Sequence, residues 1–220
     1  MSDEPSGFGD VTLDSFTSHL ASAEPVPGGG SAAAVAASLG ASLAVMVARL
    51  SEGRPRYAAH AATHLRAIDA GEAARRRFIE LADIDARAYG GYAAAMKLPR
   101  ETDAERAARA AAIAEAARAS TLAPLDTVRL CASVVQIVDA LAGRSNVNAA
   151  SDLDVAALLL EASAEGAAAN VRINLPSVTD APFVAEVQDE VGRALATTHR
   201  VAAEVRRIVA EGTAREPEAG

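Results

Sequence analysis

Apolar residues recur along most of this chain at the three- and four-residue spacing of a helix that buries one face. Leu65, Ile68 and Ile79 keep this spacing within residues 56–96, a stretch without proline. The pattern predicts one long helix there, with the Gly90–Gly91 pair as a place for a kink.

Prolines, glycines and capping residues divide the rest of the chain into further helices. The predicted helices cover residues 12–23, 31–51, 56–96, 103–142 with an interruption at Pro124, 151–170, and a last stretch that begins near residue 180. Thr102 and Glu105 have the spacing of a capping box. The sequence therefore predicts an all-α fold, a single up-and-down bundle of about six helices forming one domain over residues 1–220. Residues 1–10 and 212–220 are predicted to be mobile.

The composition agrees with tightly packed helices. Half of the 220 residues are hydrophobic but only 3% are aromatic, so the apolar content is mostly Ala, with Val, Leu and Ile. Ala is the best helix former and lets neighbouring helices approach closely. The composition does not suit a β-sandwich or an RNA-binding sheet, because these depend on β-branched and aromatic residues.

Charge and cysteine content limit the partners and the compartment. The net charge is −8 and the pI is near 5.0, which argues against nucleic acid as the main partner because phosphate binding needs a basic surface. The single cysteine, Cys131, lies in an apolar run and can form no disulfide within the chain, which fits a packing role in a reducing cytoplasm. Residues 1–10 lack the apolar core of a signal peptide, so a cytoplasmic protein is expected.

The predicted second helix is apolar enough between residues 32 and 50 to resemble a membrane span. It is interrupted by Ser38, Gly40 and Ser42 and carries Arg49, and no comparable second segment is evident. A core helix is therefore the better interpretation, and no membrane partner is predicted. A helix that is apolar on nearly all sides must be buried all round, within the bundle or by dimerisation.

Three consecutive glycines, Gly28, Gly29 and Gly30, precede Ser31 at the start of this helix. Without side chains, their N–H groups and the first helical turn can face an anion or an electron-rich carbonyl. A sharp turn alone would also explain the glycines. The loop lacks the Gly-Lys-Ser/Thr of a phosphate-binding loop, and no strand precedes it as in a dinucleotide-binding fold.

Two further clusters carry carboxylates and amides. Asp85 and Tyr89 are four residues apart, which places them on one face of the predicted third helix. In "RSNVNAASDLD", Asn146 and Asn148 precede Asp152 at the start of the predicted fifth helix. The alternatives to a binding role are a solvated helix face for the first cluster and helix capping for the second.

A basic and aromatic group lies between the second and third predicted helices. Arg54, Arg56 and Tyr57 could hold a carboxylate and stack on a ring, or they could form only a basic surface patch. His60 and His64 are four residues apart, but no acidic third ligand lies nearby in the sequence, so no metal site is predicted.

In combination, these stretches resemble the cyclodeaminase/cyclohydrolase family, which comprises the C-terminal domain of formiminotransferase-cyclodeaminase and stand-alone methenyltetrahydrofolate cyclohydrolases. The matching segments occur in the family's order and span residues 25–175; they are "PVPGGGSAAAVAASLGASLAVMVARLS", "GRPRY", "DIDARAY", "KLPRETDAERAAR", "APL", "SNVNAASD" and "AAANVRINL". Family members usually carry lysines in the segment matched by "GRPRY". Arg54 and Arg56 keep the charge there but change the donor geometry.

The resemblance implies an all-helical subunit that forms a homodimer, a tetrahydrofolate substrate, and no metal or redox cofactor. A cyclohydrolase adds water to the amidinium carbon of 5,10-methenyltetrahydrofolate, whereas a cyclodeaminase closes N10 onto a formimino carbon and expels ammonia. Both reactions pass through a tetrahedral carbon bonded to nitrogens, so a carboxylate near the developing cation is expected. Asp85 and Asp152 are the predicted catalytic carboxylates.

The remaining candidates are assigned to substrate binding. Asn146 and Asn148 are predicted to contact the pterin ring, Gly28, Gly29, Gly30 and Ser31 to form one wall of the site, and Arg54, Arg56 and Tyr57 to hold the glutamate end of the folate. The predicted function is methenyltetrahydrofolate cyclohydrolase. The alternatives are formiminotetrahydrofolate cyclodeaminase and a non-catalytic folate-binding helical protein, the last favoured by the replaced lysines.

Overall fold

The computed structural model describes residues 7–217 and contains six α-helices joined by short turns. The helices are α1 (Leu13–Leu20), α2 (Gly29–Ser51), α3 (Ala61–Met96), α4 (Asp103–Leu141), α5 (Ala150–Asn174) and α6 (Ala181–Glu211), with 3-10 turns at Pro55–His60, Val147–Ala149 and Leu175–Ser177. No strand occurs between residues 7 and 217. The predicted all-α bundle is confirmed, and its helices follow the predicted order.

Helix α2 packs against α3, α4 and α5 and forms the centre of the core. A methyl group at Gly40 would lie 3.2 Å from the carbonyl oxygen of Ala156, and one at Gly71 would lie 2.6 Å from Val45 Cγ2. Glycine at these two positions therefore permits the close approach of α2 to both neighbouring helices. Cys131 belongs to the same core, and burial raises the pKa of its thiol to about 12, in agreement with a packing role.

One side of α2 is not covered by the bundle, so of the two ways of burying this helix that the sequence allows, the bundle of one subunit does not provide the first. Leu39, Met46 and Leu50 are 53%, 38% and 39% exposed. Helix α5, which packs beside α2, exposes Val155 and Leu158 on its own surface. These five residues are called the α2–α5 face below.

Two helices, α2 and α4, are long and apolar enough to cross a membrane by length and composition alone. The sequence pattern indicated only the first. In the bundle, 61% of the apolar window of α2 and 56% of that of α4 are buried, as in core helices.

Helix α4 continues through Pro124, where the sequence predicted a break. Proline has no N–H, so the carbonyl of Ser120, four residues earlier, loses its helical donor. The side chain of Asn174 replaces that donor, with Nδ2 donating to Ser120 O at 2.9 Å. A residue of α5 therefore compensates for the proline in α4, a contact that the local sequence does not show.

The long helix predicted over residues 56–96 is divided differently from the prediction. Pro55 opens a 3-10 turn over Pro55–His60, and α3 begins only at Ala61. From there α3 is continuous through Gly90–Gly91, where an added methyl group would meet nothing within 4 Å.

Both described ends of the chain contact the bundle. Phe8 N donates to Asp83 Oδ1 at 2.7 Å, and Arg215 N donates to the carbonyl of Gly143 at 3.0 Å. The guanidinium of Arg215 also pairs with Asp139 at 3.0 Å. Parts of the segments predicted to be mobile, residues 1–6 and 218–220, lie outside the described residues.

Candidate functional site

The glycine loop and Asp85 meet at the first turn of α2. Gly28 is the N-cap of this helix and provides no side-chain cap, so the first N–H groups need another acceptor. The Asp85 carboxylate, from α3, approaches this turn, with Ser31 Oγ 3.1 Å from Asp85 Oδ2. A methyl group at Gly30 would lie only 2.4 Å from Asp85 Oδ1, so glycine is required there for the carboxylate to occupy its position.

The surroundings of Asp85 oppose its ionisation. Burial raises the pKa of this carboxyl above its ordinary value of 3.8, and the hydrogen bonds from the Ser31 hydroxyl and N–H lower it by less. Asp83, two residues earlier, instead accepts the Phe8 N–H and holds the N-terminal segment. Asp83 therefore holds a chain segment, whereas Asp85 faces a cavity, and a carboxylate with a raised pKa in a cavity is a candidate functional group.

Asp85 opens into a cavity of about 350 Å³. The glycine loop forms one wall, and the rings of Tyr89 and Tyr92 from α3 contribute to another. Helix α5 completes the lining with Asn170, Ile173 and Asn174. Flat aromatic and aliphatic walls with a few polar groups are typical of a site for a planar organic ligand.

The two asparagines on α5 each keep an amide oxygen that is free to accept a hydrogen bond from a ligand in this cavity. Asn170 Nδ2 donates to the carbonyl of Gly166 at 2.9 Å, and Asn174 Nδ2 donates to the carbonyl of Ser120. A carbonyl can only accept, so the amide nitrogens must point at these partners and both Oδ1 atoms remain available to a ligand. Sequence reasoning did not select either asparagine, although "AAANVRINL" places them four residues apart in an Ala-rich helix.

The second group of predicted residues lies around the C-terminal end of α2. Tyr57 is buried, and its hydroxyl accepts the Val147 N–H at 3.1 Å. Asn146 is also buried: its N–H donates to Ser51 Oγ at 2.8 Å, and its Oδ1 accepts the N–H of Asn148. These contacts fix the loop that precedes α5, beside a second cavity of about 380 Å³.

The charged members of this group are more accessible. Arg54 and Arg56 are exposed, and the guanidinium of Arg56 lies 5.6 Å from the centre of the Tyr57 ring. Asp152 is half-buried in the first turn of α5, whose N-cap is Ala149. No side chain caps this helix, so the capping role considered for Asp152 is not observed.

Within one subunit, the structure does not bring the two groups together. The glycine loop and Asp85 lie at the N-terminal end of α2, whereas Tyr57 and Asn146 lie near its other end. The 23 residues of this helix span about 33 Å at 1.5 Å per residue. Asp85 and Asp152 therefore cannot act on the same carbon within one subunit.

Comparison with known proteins supplies the family context. A profile of the formiminotransferase-cyclodeaminase family matches residues 12–193. A methenyltetrahydrofolate cyclohydrolase from Methylorubrum extorquens is 36% identical over 188 residues, which make up 86% of this chain and 90% of that protein. The formimidoyltransferase-cyclodeaminase of Sus scrofa is 39% identical over 83% of this chain, and the match covers 34% of that relative, so the chain spans about a third of its length. The crystal structure of formiminotetrahydrofolate cyclodeaminase from Thermotoga maritima has a TM-score of 0.84 at 26% identity, covering 92% of this chain and 98% of that one.

Proposed function

Because this chain belongs to the formiminotransferase-cyclodeaminase family, we propose that it is a methenyltetrahydrofolate cyclohydrolase, an enzyme that converts 5,10-methenyltetrahydrofolate to 10-formyltetrahydrofolate. The observation that supports this most directly is the partly buried Asp85 carboxylate at the wall of a ligand-sized cavity. The relative matched over nearly its whole length is named as this enzyme. We place the reaction in the cytoplasm, as the sequence predicts.

Asp85 fits the proton transfers of this reaction. Water attacks the amidinium carbon that bridges N5 and N10, and the ionised carboxylate accepts one water proton while it stabilises the cation. The tetrahedral carbinolamine then opens by cleavage of the C–N5 bond, and the hydroxyl proton moves to N5 as the formyl C=O forms on N10. One proton is released overall, which balances the positive charge of the substrate. Neither step requires a metal or a redox group.

The cavity walls suit the pterin ring. The Oδ1 atoms of Asn170 and Asn174 are acceptors, and a tetrahydropterin offers N–H donors at its 2-amino group and at N3. Tyr89 and Tyr92 provide surfaces against which the ring can pack. We therefore assign pterin recognition to the α5 asparagines and not, within the same subunit, to Asn146 and Asn148, whose contacts organise their own loop.

A homodimer would combine the two separated groups into one site. The α2–α5 face runs from the middle of α2 to its C-terminal end, and a two-fold axis near Leu39 would place two copies of α2 antiparallel. The glycine loop of one subunit would then lie near Arg56 and Asp152 of the partner subunit. This arrangement also covers three large apolar residues of α2 that solvent otherwise contacts.

The proposed activity has a direct assay. The methenyl group absorbs in the near ultraviolet, so hydrolysis is followed as loss of that chromophore from 5,10-methenyltetrahydrofolate, with a non-enzymatic blank. Steady turnover with formation of 10-formyltetrahydrofolate supports a cyclohydrolase. Tight folate binding with decay at the blank rate would show the non-catalytic folate-binding protein instead.

Formiminotetrahydrofolate cyclodeaminase is the second candidate, because the similar solved structure from Thermotoga maritima bears that name. The same carboxylate would serve this reaction by moving a proton from N10 to the departing ammonia. Ammonia release from 5-formiminotetrahydrofolate, measured with a coupled dehydrogenase, separates the two activities. Ammonia release faster than methenyl hydrolysis would reverse the assignment.

A further inference from the structure

Two buried serines of α2 contact carbonyl oxygens of α3 in the same way. Ser31 Oγ lies 3.1 Å from the carbonyl oxygen of Ala82, and Ser38 Oγ donates to the carbonyl of Arg75 at 3.0 Å. The serines are two helical turns apart, and the two carbonyls have the same separation in the opposite order, as expected for antiparallel helices in contact. Ser31 and Ser38 therefore share a structural role, which is to join α2 to α3.

Ser31 differs from Ser38 because it also reaches a carboxylate. Its Oγ lies 3.1 Å from Asp85 Oδ2, the same distance as from the carbonyl oxygen of Ala82. A serine hydroxyl carries a single proton, so it cannot donate fully to both acceptors at once. The acceptor that receives this proton is decided by the charge of Asp85.

The two protonation states of Asp85 use the hydroxyl of Ser31 differently. The ionised carboxylate receives the Ser31 proton, because a charged acceptor makes the stronger hydrogen bond. When Asp85 gains a proton at Oδ2, it becomes a donor to Ser31 Oγ, and the hydroxyl, which keeps its own proton, turns toward the carbonyl of Ala82. That carbonyl lies inside α3 and has a helical N–H partner in either state. Both forms of Asp85 are therefore hydrogen-bonded without displacement of a heavier atom.

Ser31 has no direct access to a ligand. It is fully buried, and it is not among the residues that line the Asp85 cavity, although Gly28, Gly29 and Gly30 are. The sequence predicted that Ser31 belongs to the wall of the folate site, whereas its hydroxyl lies behind that wall. Any effect of this hydroxyl on the reaction is therefore transmitted through Asp85.

We infer that Ser31 is a positioning residue whose hydroxyl turns between Asp85 and the carbonyl of Ala82 as the carboxylate loses and gains a proton. The inference rests on the proposed function, in which Asp85 accepts a proton from the attacking water. The carboxylate is then held in one place before and after the transfer, so little reorganisation accompanies the proton. Because the hydrogen bond to the ionised form is the stronger one, Ser31 also lowers the pKa of Asp85, against the larger effect of burial.

Few other groups around Asp85 can titrate. The cavity lining that comes from the glycine loop, α2, α4 and α5 contains no ionisable side chain. From α3 the lining includes Tyr89 and Tyr92, and phenols ionise only in alkaline solution. Asp83, the nearest carboxylate along α3, accepts the Phe8 N–H instead. A change in the acid limb of the rate can therefore be assigned to Asp85, with Asp85→Asn as the check.

The pH dependence of single-turnover methenyl hydrolysis tests the inference in Ser31→Ala, with Ser38→Ala as the matched control. Each substitution removes one hydrogen bond from α2 to a carbonyl of α3, so both should lower the melting temperature to a similar extent. Only Ser31→Ala should move the acid limb to higher pH, because the ionised carboxylate loses a donor. Its plateau rate should fall by roughly tenfold to hundredfold, the range expected for loss of a hydrogen bond to a charged group. Ser31→Cys fills the same space with a weak donor and should move the limb in the same direction, which keeps the test available if Ser31→Ala does not fold.

Carboxyl-carbon NMR of the protein without substrate measures the pKa of Asp85 independently of turnover, with the resonance assigned by its loss in Asp85→Asn. A pKa that is higher in Ser31→Ala than in Ser38→Ala would support the positioning role, and the same result in a protein without turnover would refute the proposed function alone. Equal values in the two variants would overturn the positioning role and leave the function intact where hydrolysis persists. An acid limb that stays in place in Ser31→Ala, with the stability loss of Ser38→Ala, would reduce Ser31 to a contact between α2 and α3.

Discussion

One methyl group added at Gly30 would collide with the carboxylate of Asp85. The new Cβ would lie 2.4 Å from Asp85 Oδ1, whereas ordinary contacts begin at 3.4 Å, so the two must separate by 3.4 − 2.4 = 1.0 Å. The collision involves the end of a side chain, which can rotate, and not the backbone of α3. The variant Gly30→Ala should therefore displace the carboxylate while α2 and α3 stay packed.

The expected effect on stability is small and the effect on rate is large. Alanine in place of glycine favours a helix by about 0.5–1 kcal/mol, and loss of the contact between Ser31 and Asp85 costs about 0.5–1.5 kcal/mol. These contributions nearly cancel. A misplacement of about 1 Å in a catalytic group lowers the rate by roughly 10²-fold, so single-turnover hydrolysis should slow by about that factor.

The assay is single-turnover decay of the methenyl chromophore at saturating enzyme, with thermal unfolding measured on the same samples. Gly192→Ala on α6 is the matched control, because its added methyl would meet nothing within 4 Å. A folded Gly30→Ala protein that hydrolyses the substrate within about threefold of the Gly192→Ala rate would refute the placement of Asp85 at the reacting carbon. A destabilisation above about 3 kcal/mol, the upper range of core overpacking, would refute the side-chain rotation.

Four further outcomes are expected. Asp85→Asn should lower turnover by at least roughly 10²-fold. Because the pKa of Asp85 is raised, the wild-type rate should fall with decreasing pH, with a midpoint above 3.8. If the single-turnover rate of the variant falls at low pH in the same way, Asp85 is not the titrating group. Gly29→Val, whose side chain enters the cavity beside Asn170, should weaken folate binding more than it lowers the melting temperature, and equal affinity in calorimetry would leave the loop a structural turn. Light scattering should give twice the subunit mass of 22.4 kDa, and Leu39→Glu should give monomers without activity; an active monomer would refute the shared site. Asn174→Leu should raise KM for folate, and it should also destabilise the fold because the Ser120 carbonyl loses its donor. An unchanged KM would show that Asn174 does not bind the pterin.

The helices could be predicted from the sequence because their signals are local. Thr102 and Glu105 form the predicted capping box, and α5 begins at Ala150, one residue before the predicted start. Pro124 was misleading for a physical reason: proline disturbs a helix through the carbonyl that it leaves unpaired, and that carbonyl is paired by Asn174. The partner lies 54 residues from Ser120, beyond the reach of any local pattern.

The candidate site could be predicted only in part, because its geometry depends on contacts between distant helices. The glycine loop and Asp85 were selected separately, by composition and by family resemblance, and the structure shows that Ser31 joins them. Asn170 was not selected, since an asparagine in a helix signals nothing until the direction of its amide is known. Asn146 was predicted to contact the pterin ring from the motif around it, but its contacts with Ser51 and Asn148 organise a loop.

The position of Asp85 has two possible explanations, a catalytic role and a structural role in which its carboxylate caps α2 from a neighbouring helix. The two roles predict different effects of ionisation on the stability of the fold. A carboxylate that serves to cap a helix stabilises the fold in its ionised form, and its pKa is then lowered. Burial raises the pKa of Asp85 instead, so the ionised form is less favourable in the folded chain than in the unfolded chain, and stability decreases as pH rises through that pKa. The neutral variant Asp85→Asn avoids this penalty and should unfold at the same temperature as the wild type or above it at neutral pH. An unchanged or raised melting temperature would therefore favour a functional role for Asp85, whereas a clearly lower one would identify its carboxylate as a cap of α2.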